Sequence, residues 1–199
     1  MSQDSFFAML SRMKYITRWG LMRNTREENL CEHTLETAML AHALATIRNR
    51  RFGGSVDPER VAVLALYHDA SEIITGDLPT PVKYYNSEIK DSYKKVERLA
   101  SDQLLDLLPD DLRPDYETLL HPAEKDAGLW QICKAADKLS ALIKCVQERA
   151  TGNREFLQAE EATLEAVHAM KLPEAECFLE EFMPAYARSL DEQTKPDQP

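Results

Sequence analysis

The chain has 199 residues, a mass of 22.7 kDa, 44% hydrophobic residues and a formal net charge of −10. That is enough for one well-buried core, and the acidic balance argues against a protein that coats a nucleic-acid polymer. With no apolar run of eighteen residues and no signal-peptide pattern in MSQDSFFAMLSRMK, no membrane partner is expected and the cytoplasm is the expected compartment.

Residues 5–16 carry Phe6, Leu10 and Met13 at helical spacing, and 17–28 read as a loop. Asn29 with Glu32 three residues on resembles a capping pair, so a helix should run over about 30–50, with Leu35, Met39, Ala43 and Ile47 as its apolar face. Gly53-Gly54 closes that helix and Asp57-Pro58 opens another, which should hold His68 and Asp69 in its later turns. The segment Gly76–Pro81 interrupts the helices, because proline cannot continue the hydrogen-bond ladder. Helices are expected over 87–108, with Ile89, Val96, Leu99 and Leu104 apolar, and over 111–120. A long helix over 122–150 has the stripe Leu129, Ile132, Ala136, Leu139 and Ile143. Two more fit 154–170 and 174–190, the second broken or kinked near Pro184, and residues 191–199 read as a disordered tail. No alternating strand pattern, repeat or linker interrupts this series. The expectation is a single all-α domain over 1–190.

Four cysteines, Cys31, Cys133, Cys145 and Cys177, lack CxxC spacing and read as reduced, mostly buried thiols. The polar residues that stand out lie on separate elements. His68 and Asp69 are adjacent, with Glu72 one helical turn beyond; neighbours about 100° apart converge on one ion only from a helix end or edge. Asp137 sits on the flank of an apolar stripe, where a carboxylate needs a cation or several donors. His33 falls in the first turns of its helix. Two imidazoles and two carboxylates make a mixed nitrogen and oxygen set suited to Mn²⁺, Co²⁺, Fe²⁺ or Zn²⁺. Each residue alone also fits a structural role: His33 as a satisfied histidine, Asp137 in a salt bridge. His42, His121 and His168 read as structural or exposed. Arg12, Lys14, Arg18, Arg23 and Arg26 form a basic stretch that suits either a small anion or a solvated surface.

The pattern His33…His68-Asp69…Asp137 resembles the H…HD…D signature of the HD-domain phosphohydrolases. More closely, LSRMKYITRWGLMRN, ENLCEHTLE, YHDASEIITGDLPTPVKYYN and KAADKLSALIKC are similar to the 5′-deoxynucleotidases of the YfbR type, over nearly the whole chain. The resemblance implies a helical HD-domain bundle and a homodimeric cytosolic enzyme that removes the 5′-phosphate of deoxyribonucleoside monophosphates. It assigns a divalent cation to His33, His68, Asp69 and Asp137, with Co²⁺ or Mn²⁺ foremost and Zn²⁺, Cu²⁺, Fe²⁺ or Mg²⁺ compatible. It implies acid–base work for Glu72 and substrate contacts for Arg18, Trp19, His33, Asp69, Asp77, Leu78, Pro79, Thr80 and Asp137.

Two other hydrolase readings and one non-catalytic reading compete. Alarmone hydrolysis would call for an acidic residue after Glu72, where Ile73 stands. Cyclic-dinucleotide hydrolysis would call for further histidine ligands, which His42, His121 and His168 do not supply. A helical binding module without catalysis would be free to lose any of the four ligand positions, and all are kept.

Overall fold

A computed structural model describes residues 4–83 and 85–194, apart from the side chain of Thr80. The chain is helical throughout: α1 (Phe6–Leu10), α2 (Leu30–Arg51), α3 (Pro58–Tyr67), α4 (Glu72–Thr75), α5 (Thr80–Lys83), α6 (Ser87–Leu105), α7 (Arg113–Leu120), α8 (Ala127–Ala150), α9 (Leu157–Ala169), α10 (Pro173–Glu181) and α11 (Leu190–Thr194). Among the described residues the only extended pairing is an isolated antiparallel bridge between Thr17 and Asn29. Residues 195–199 of the expected tail lie outside the described residues, while its first part, Asp191–Thr194, belongs to α11.

Local chemistry explains most boundaries. Asn29 accepts from the Glu32 backbone N–H at 3.0 Å and the Glu32 carboxylate accepts from the Asn29 N–H at 3.2 Å, a complete capping box for α2. Asp57 caps α3 through Arg60 N–H at 3.0 Å, with Pro58 in the first turn. The helix expected over 5–16 is α1 followed by a tighter 3₁₀ segment, Ser11–Tyr15, and Pro184 does break the last stretch, where α10 gives way to the 3₁₀ segment Met183–Ala187. The segment expected to interrupt the helices after Gly76 does so only to Pro79, since Pro81 falls within the single turn of α5.

Helices α2, α3 and α8 pack against one another, α9 covers α8 and α10 covers α2. Their shared core holds Leu40, Leu44, Leu64, Ile132, Leu139 and Ile143. The expected apolar face of α2 is partly wrong: Leu35 and Met39 are 56% and 60% exposed. The buried face runs instead through Leu30, His33, Thr37, Ala41 and Leu44. Small Thr and Ala side chains on that face let the backbones of α2, α3 and α8 approach closely, and an imidazole needs partners that only that side offers. On α6 the stripe likewise turns outward, with Ile89, Val96 and Leu99 exposed and only Leu104 buried.

Helix α8 has a second, polar face. Asp137, Ser140, Lys144 and Glu148 recur at spacings of three and four, so they line up along one side. At its far end Glu148, 2% exposed, accepts from Thr25 N (3.0 Å), Thr25 Oγ1 (2.6 Å), Asn153 Nδ2 (2.9 Å) and Lys144 Nζ. Lys144 Nζ also donates to the Arg26 carbonyl. This buried pair fastens the 17–29 loop to α8.

Although burial opposes it, the donors around Glu148, Lys144 first, pull its carboxyl down to about 2. A carboxyl depressed by folding contributes stability above its unfolded value of 4.5, and that contribution fades as pH falls from there towards 2. Glu148→Gln should therefore cost about 3–5 kcal/mol at neutral pH, as expected for a buried ion pair broken on one side. The gap in thermal midpoint between variant and wild type should close between pH 5 and pH 2, read by circular dichroism. A gap independent of pH would mean that the carboxylate charge is not what holds the loop.

Candidate metal centre and its surroundings

The turn that carries His68 and Asp69 is set by two apolar anchors. Helix α3 ends at Tyr67, so His68 is its C-terminal cap and Asp69 lies in the following turn, not inside the helix as expected. Tight bonds from Ala70 N to Tyr67 O (3.1 Å) and Glu72 N to Asp69 O (2.9 Å) shape the turn. Ala70 packs with Phe6, Leu104 and Leu105, and Ile73 packs with Met13 and Leu30. With both anchored inward, Asp69 and Glu72, themselves three apart, turn the other way. The helix end thus solves the convergence problem that adjacent residues face.

One donor atom from each of His33, His68, Asp69 and Asp137 lies within 4.8 Å of the others. His33 Nε2 is 3.2 Å from Asp137 Oδ1 and 3.6 Å from Asp69 Oδ2, and His68 Nε2 is 3.0 Å from Asp69 Oδ2. The chemistry of these donors fits a divalent cation. His68 donates its Nδ1 proton to the Ala65 carbonyl at 2.7 Å, which turns Nε2 towards the carboxylates and makes it the ring atom available to a cation. The Ser140 hydroxyl donates to Glu36 Oε2 at 2.6 Å, so its oxygen receives the Nδ1 proton of His33 at 3.0 Å. That frees Nε2 of His33 towards the same centre. Such partners behind a metal-binding imidazole fix its tautomer and raise its basicity.

Burial opposes ionisation of Asp69 and Asp137, yet the two histidines hold both carboxyls well below the ordinary range. Burial disfavours a charged His68, but Asp69 and Asp137 raise its pKa well above the ordinary value. Glu72 is buried, with Oε2 lacking a partner. Burial, reinforced by the negative Asp69 and Asp77, pushes its carboxyl up to about 9, so it retains a proton at neutral pH. A cation held by Asp69 would offset part of that repulsion and lower the value.

Of the expected substrate residues, Arg18 and Asp77 lie within electrostatic reach of this centre. Arg18 is buried; despite that burial, Glu28, Asp137, Asp69 and Asp77 raise its pKa, so all four carboxylates act on one guanidinium. Its Nε has no partner. Trp19 adjoins it with φ +60°, a left-handed backbone that bulky residues rarely adopt. Asp77, Leu78 and Pro79 are half-buried in the segment after Gly76, whose own φ of +72° suits glycine. Thr80 opens α5, and its side chain lies outside the described residues. The rest of the basic stretch disperses: Arg23 pairs with Glu155 and Arg26 with Glu32, both at the surface. His42 is exposed, His121 pairs with Asp102 and His168 with Glu176.

Sequence reasoning missed Glu28, Glu36 and Ser140. Ser140 had a findable signal, since it follows Asp137 at helical spacing on the same face. Glu28 and Glu36 had none, because acidic residues at a loop end and an exposed-looking helix position are common.

Likenesses to solved structures concern the fold. An HD-domain phosphohydrolase from Listeria innocua superposes with a TM-score of 0.81 over 94% of this chain and 90% of its own, at 24% identity. The cyanophage S-2L HD phosphohydrolase, solved bound to dA and one catalytic Zn²⁺ ion, gives 0.63 over 89% and 95%, at 18% identity. The fold is that of the HD-domain phosphohydrolase class, and the family match and half-identical relatives make the chain a hydrolase of phosphoester bonds. Within that class the chain belongs to the YfbR-like 5′-deoxynucleotidase family, whose pattern matches residues 5–186. It is 51% identical over 195 residues to the 5′-deoxynucleotidase YfbR of Escherichia coli, covering 96% of each chain. A 5′-deoxynucleotidase of Klebsiella pneumoniae is 50% identical over 192 residues, again covering 96% of each.

If Ser140 sets the His33 tautomer, Ser140→Ala should weaken divalent-cation binding by about 10–100-fold while the helical content is kept. Isothermal titration with Mn²⁺ or Co²⁺ at fixed pH reads this directly. Wild-type affinity in the variant would show that the bond to Nδ1 has no bearing on the centre.

Proposed function

We propose that this protein is a divalent-cation-dependent 5′-deoxynucleotidase, converting deoxyribonucleoside 5′-monophosphates to deoxyribonucleosides and phosphate and selecting against ribonucleotides. The observation that carries the reading is the convergence of His33, His68, Asp69 and Asp137 within 4.8 Å, bordered by the cationic Arg18 and the buried Glu72. The half-identical relatives that cover the same length are named for this activity.

Each residue then has a physical task. His33, His68, Asp69 and Asp137 would hold a divalent cation, with Co²⁺ or Mn²⁺ foremost, which would supply Lewis-acid polarisation and activation of water. Arg18 binds the phosphate through the guanidinium edge that Glu28 leaves free, including the unpartnered Nε–H, and fixes its orientation. Glu72 holds its proton at neutral pH and delivers it to the departing 5′-oxygen, a poor leaving group without it. Trp19 stands as a rigid wall beside the sugar, where a 2′-hydroxyl would collide, and Asp77 accepts from the 3′-hydroxyl. Leu78, Pro79 and Thr80 are assigned to the sugar side by the family resemblance. His33, Asp69 and Asp137 would also border the phosphate. No residue in this set reads a base edge, so tolerance of different bases is expected.

The direct test is phosphate release from thymidine monophosphate with Co²⁺ or Mn²⁺ added, against a metal-stripped control. Asp137→Ala should lose bound metal and activity together and stay helical. Glu72→Ala should keep its metal, with turnover lowered by on the order of 10²–10⁴. Full activity and metal content in Asp137→Ala would remove that residue from the centre. Metal loss in Glu72→Ala would make Glu72 a ligand and not an acid.

The same reading includes a cytoplasmic homodimer. Among the described residues no helix is long and apolar enough to cross a membrane. Leu35 and Met39 on α2, and Ile89, Val96 and Leu99 on α6, present apolar area that a second copy would bury. Light scattering should give about twice the 22.7 kDa chain mass; a monomer mass at micromolar concentration would refute the dimer.

A further inference from the structure

Resting on the sugar and phosphate roles just given to Trp19 and Arg18, we infer that Glu28 is the positioning residue that makes them one rigid substrate-reading unit. Through Trp19 it sets the preference for deoxyribose over ribose.

The carboxylate of Glu28 is divided between the two neighbours. Oε1 accepts from Arg18 Nη1 at 2.8 Å, and Oε2 accepts from the indole Nε1 of Trp19 at 3.1 Å. Both side chains of the ion pair are largely shielded from water, 12% and 13% exposed, so the pair is little screened. Because a carboxylate is planar and its two oxygens are fixed relative to each other, holding one donor on each fixes the guanidinium relative to the indole. Glu28 also holds Arg18 through the backbone, where Arg18 N donates to the Glu28 carbonyl at 2.9 Å. The Leu30 N–H to Ile16 carbonyl bond, at 2.8 Å, closes the other side of this short antiparallel pairing.

Trp19 needs such a clamp. Its φ of +60° is a strained conformation for a tryptophan, and strain of this kind persists only where surrounding contacts over-determine it. The indole also lies against Phe156, ring centres 5.3 Å apart. Phe156 packs against the ring, and the hydrogen bond to Glu28 fixes its rotation. Arg18 needs the clamp for another reason. Asp69, Asp77 and Asp137 all attract it, and a free guanidinium would fold onto those carboxylates. Glu28 holds it back with one edge of the fork occupied, leaving Nε without a partner.

Glu28 reaches the metal centre too. Oε1 is 3.6 Å from His33 Nδ1, beside the Ser140 hydroxyl. The unit that reads sugar and phosphate is therefore referenced to the same imidazole that belongs to the cation centre, and its distance from the reacting phosphate is set by packing and not by loop motion. A displacement of about 1 Å at such a site costs on the order of 10²-fold in rate, which is why a positioning residue can govern selectivity without touching substrate.

The test is a double-mutant cycle on the full chain loaded with Mn²⁺, measuring kcat/KM for deoxyadenosine and adenosine monophosphates. Trp19→Ala should lower the deoxy-to-ribo ratio. Glu28→Ala should lower it by about tenfold, towards the Trp19→Ala value. Glu28→Ala added to Trp19→Ala should not lower it further. Glu28→Gln keeps the side-chain shape but can accept from only one of the two donors, so it should fall between wild type and Glu28→Ala; it serves as the second variant if Glu28→Ala misfolds. An unchanged ratio in both Glu28 variants, even with activity lowered on both sugars, makes Glu28 a loop latch and overturns the inference while leaving the proposed function standing. So does an equal further fall in the Trp19→Ala background. An unchanged ratio in Trp19→Ala overturns the sugar-wall role and the inference together, and no phosphate release by the wild type refutes the activity itself.

Discussion

A buried imidazole is the constraint on which the rest of this structure depends. His33 lies in the interface of α2 with α8, where an unpaired polar group would cost several kcal/mol. It is satisfied on one side by Ser140, backed by Glu36, and faces Asp69 and Asp137 with the other. That need selects which face of α2 is buried. It explains why Leu35 and Met39, which would make a good apolar stripe, are left outside.

Helix α8 meets the same demand from the opposite side. Its polar face presents Asp137 to the centre, Ser140 to His33, and Lys144 with Glu148 to the loop that carries Arg18 and Trp19. A single helix therefore sets the spacing between the clustered His and Asp donors and the 17–29 loop. Sites built on helices hold their geometry more closely than sites built on loops. Here the loop is fastened to the helix at Thr25 and, through Glu28, lies against His33.

The turn at 68–73 supplies the remaining donors by a different device. Ala70 and Ile73 are anchored in two separate small apolar clusters, so Asp69 and Glu72 have no freedom to turn inward. Two carboxyls three residues apart then meet opposite environments. Asp69 faces histidines and stays ionised, while Glu72 faces burial and like charge and keeps its proton. Carboxyls driven apart in this way are suited to different tasks, ligand and acid.

Local features of the chain were readable from the sequence because their causes are local. The capping pair Asn29 and Glu32, the Asp57-Pro58 start, the break at Pro184 and the helical periodicity each depend on residues within one or two turns. The donors His33, His68, Asp69 and Asp137 could be picked out as a set by type and by family resemblance. Tertiary structure decided what periodicity cannot express. The buried face of α2 and the outward turn of Ile89, Val96 and Leu99 depend on which helices lie alongside. The end of α3 at Tyr67, ahead of the His-Asp pair, depends on anchors contributed by Phe6, Met13 and Leu104. Glu36 and Glu148 gained their places only when residues over a hundred positions apart, Glu36 with Ser140 and Glu148 with Thr25, came into contact. A carboxylate's role is set by the donors around it, and donors so distant in sequence are brought together by packing alone.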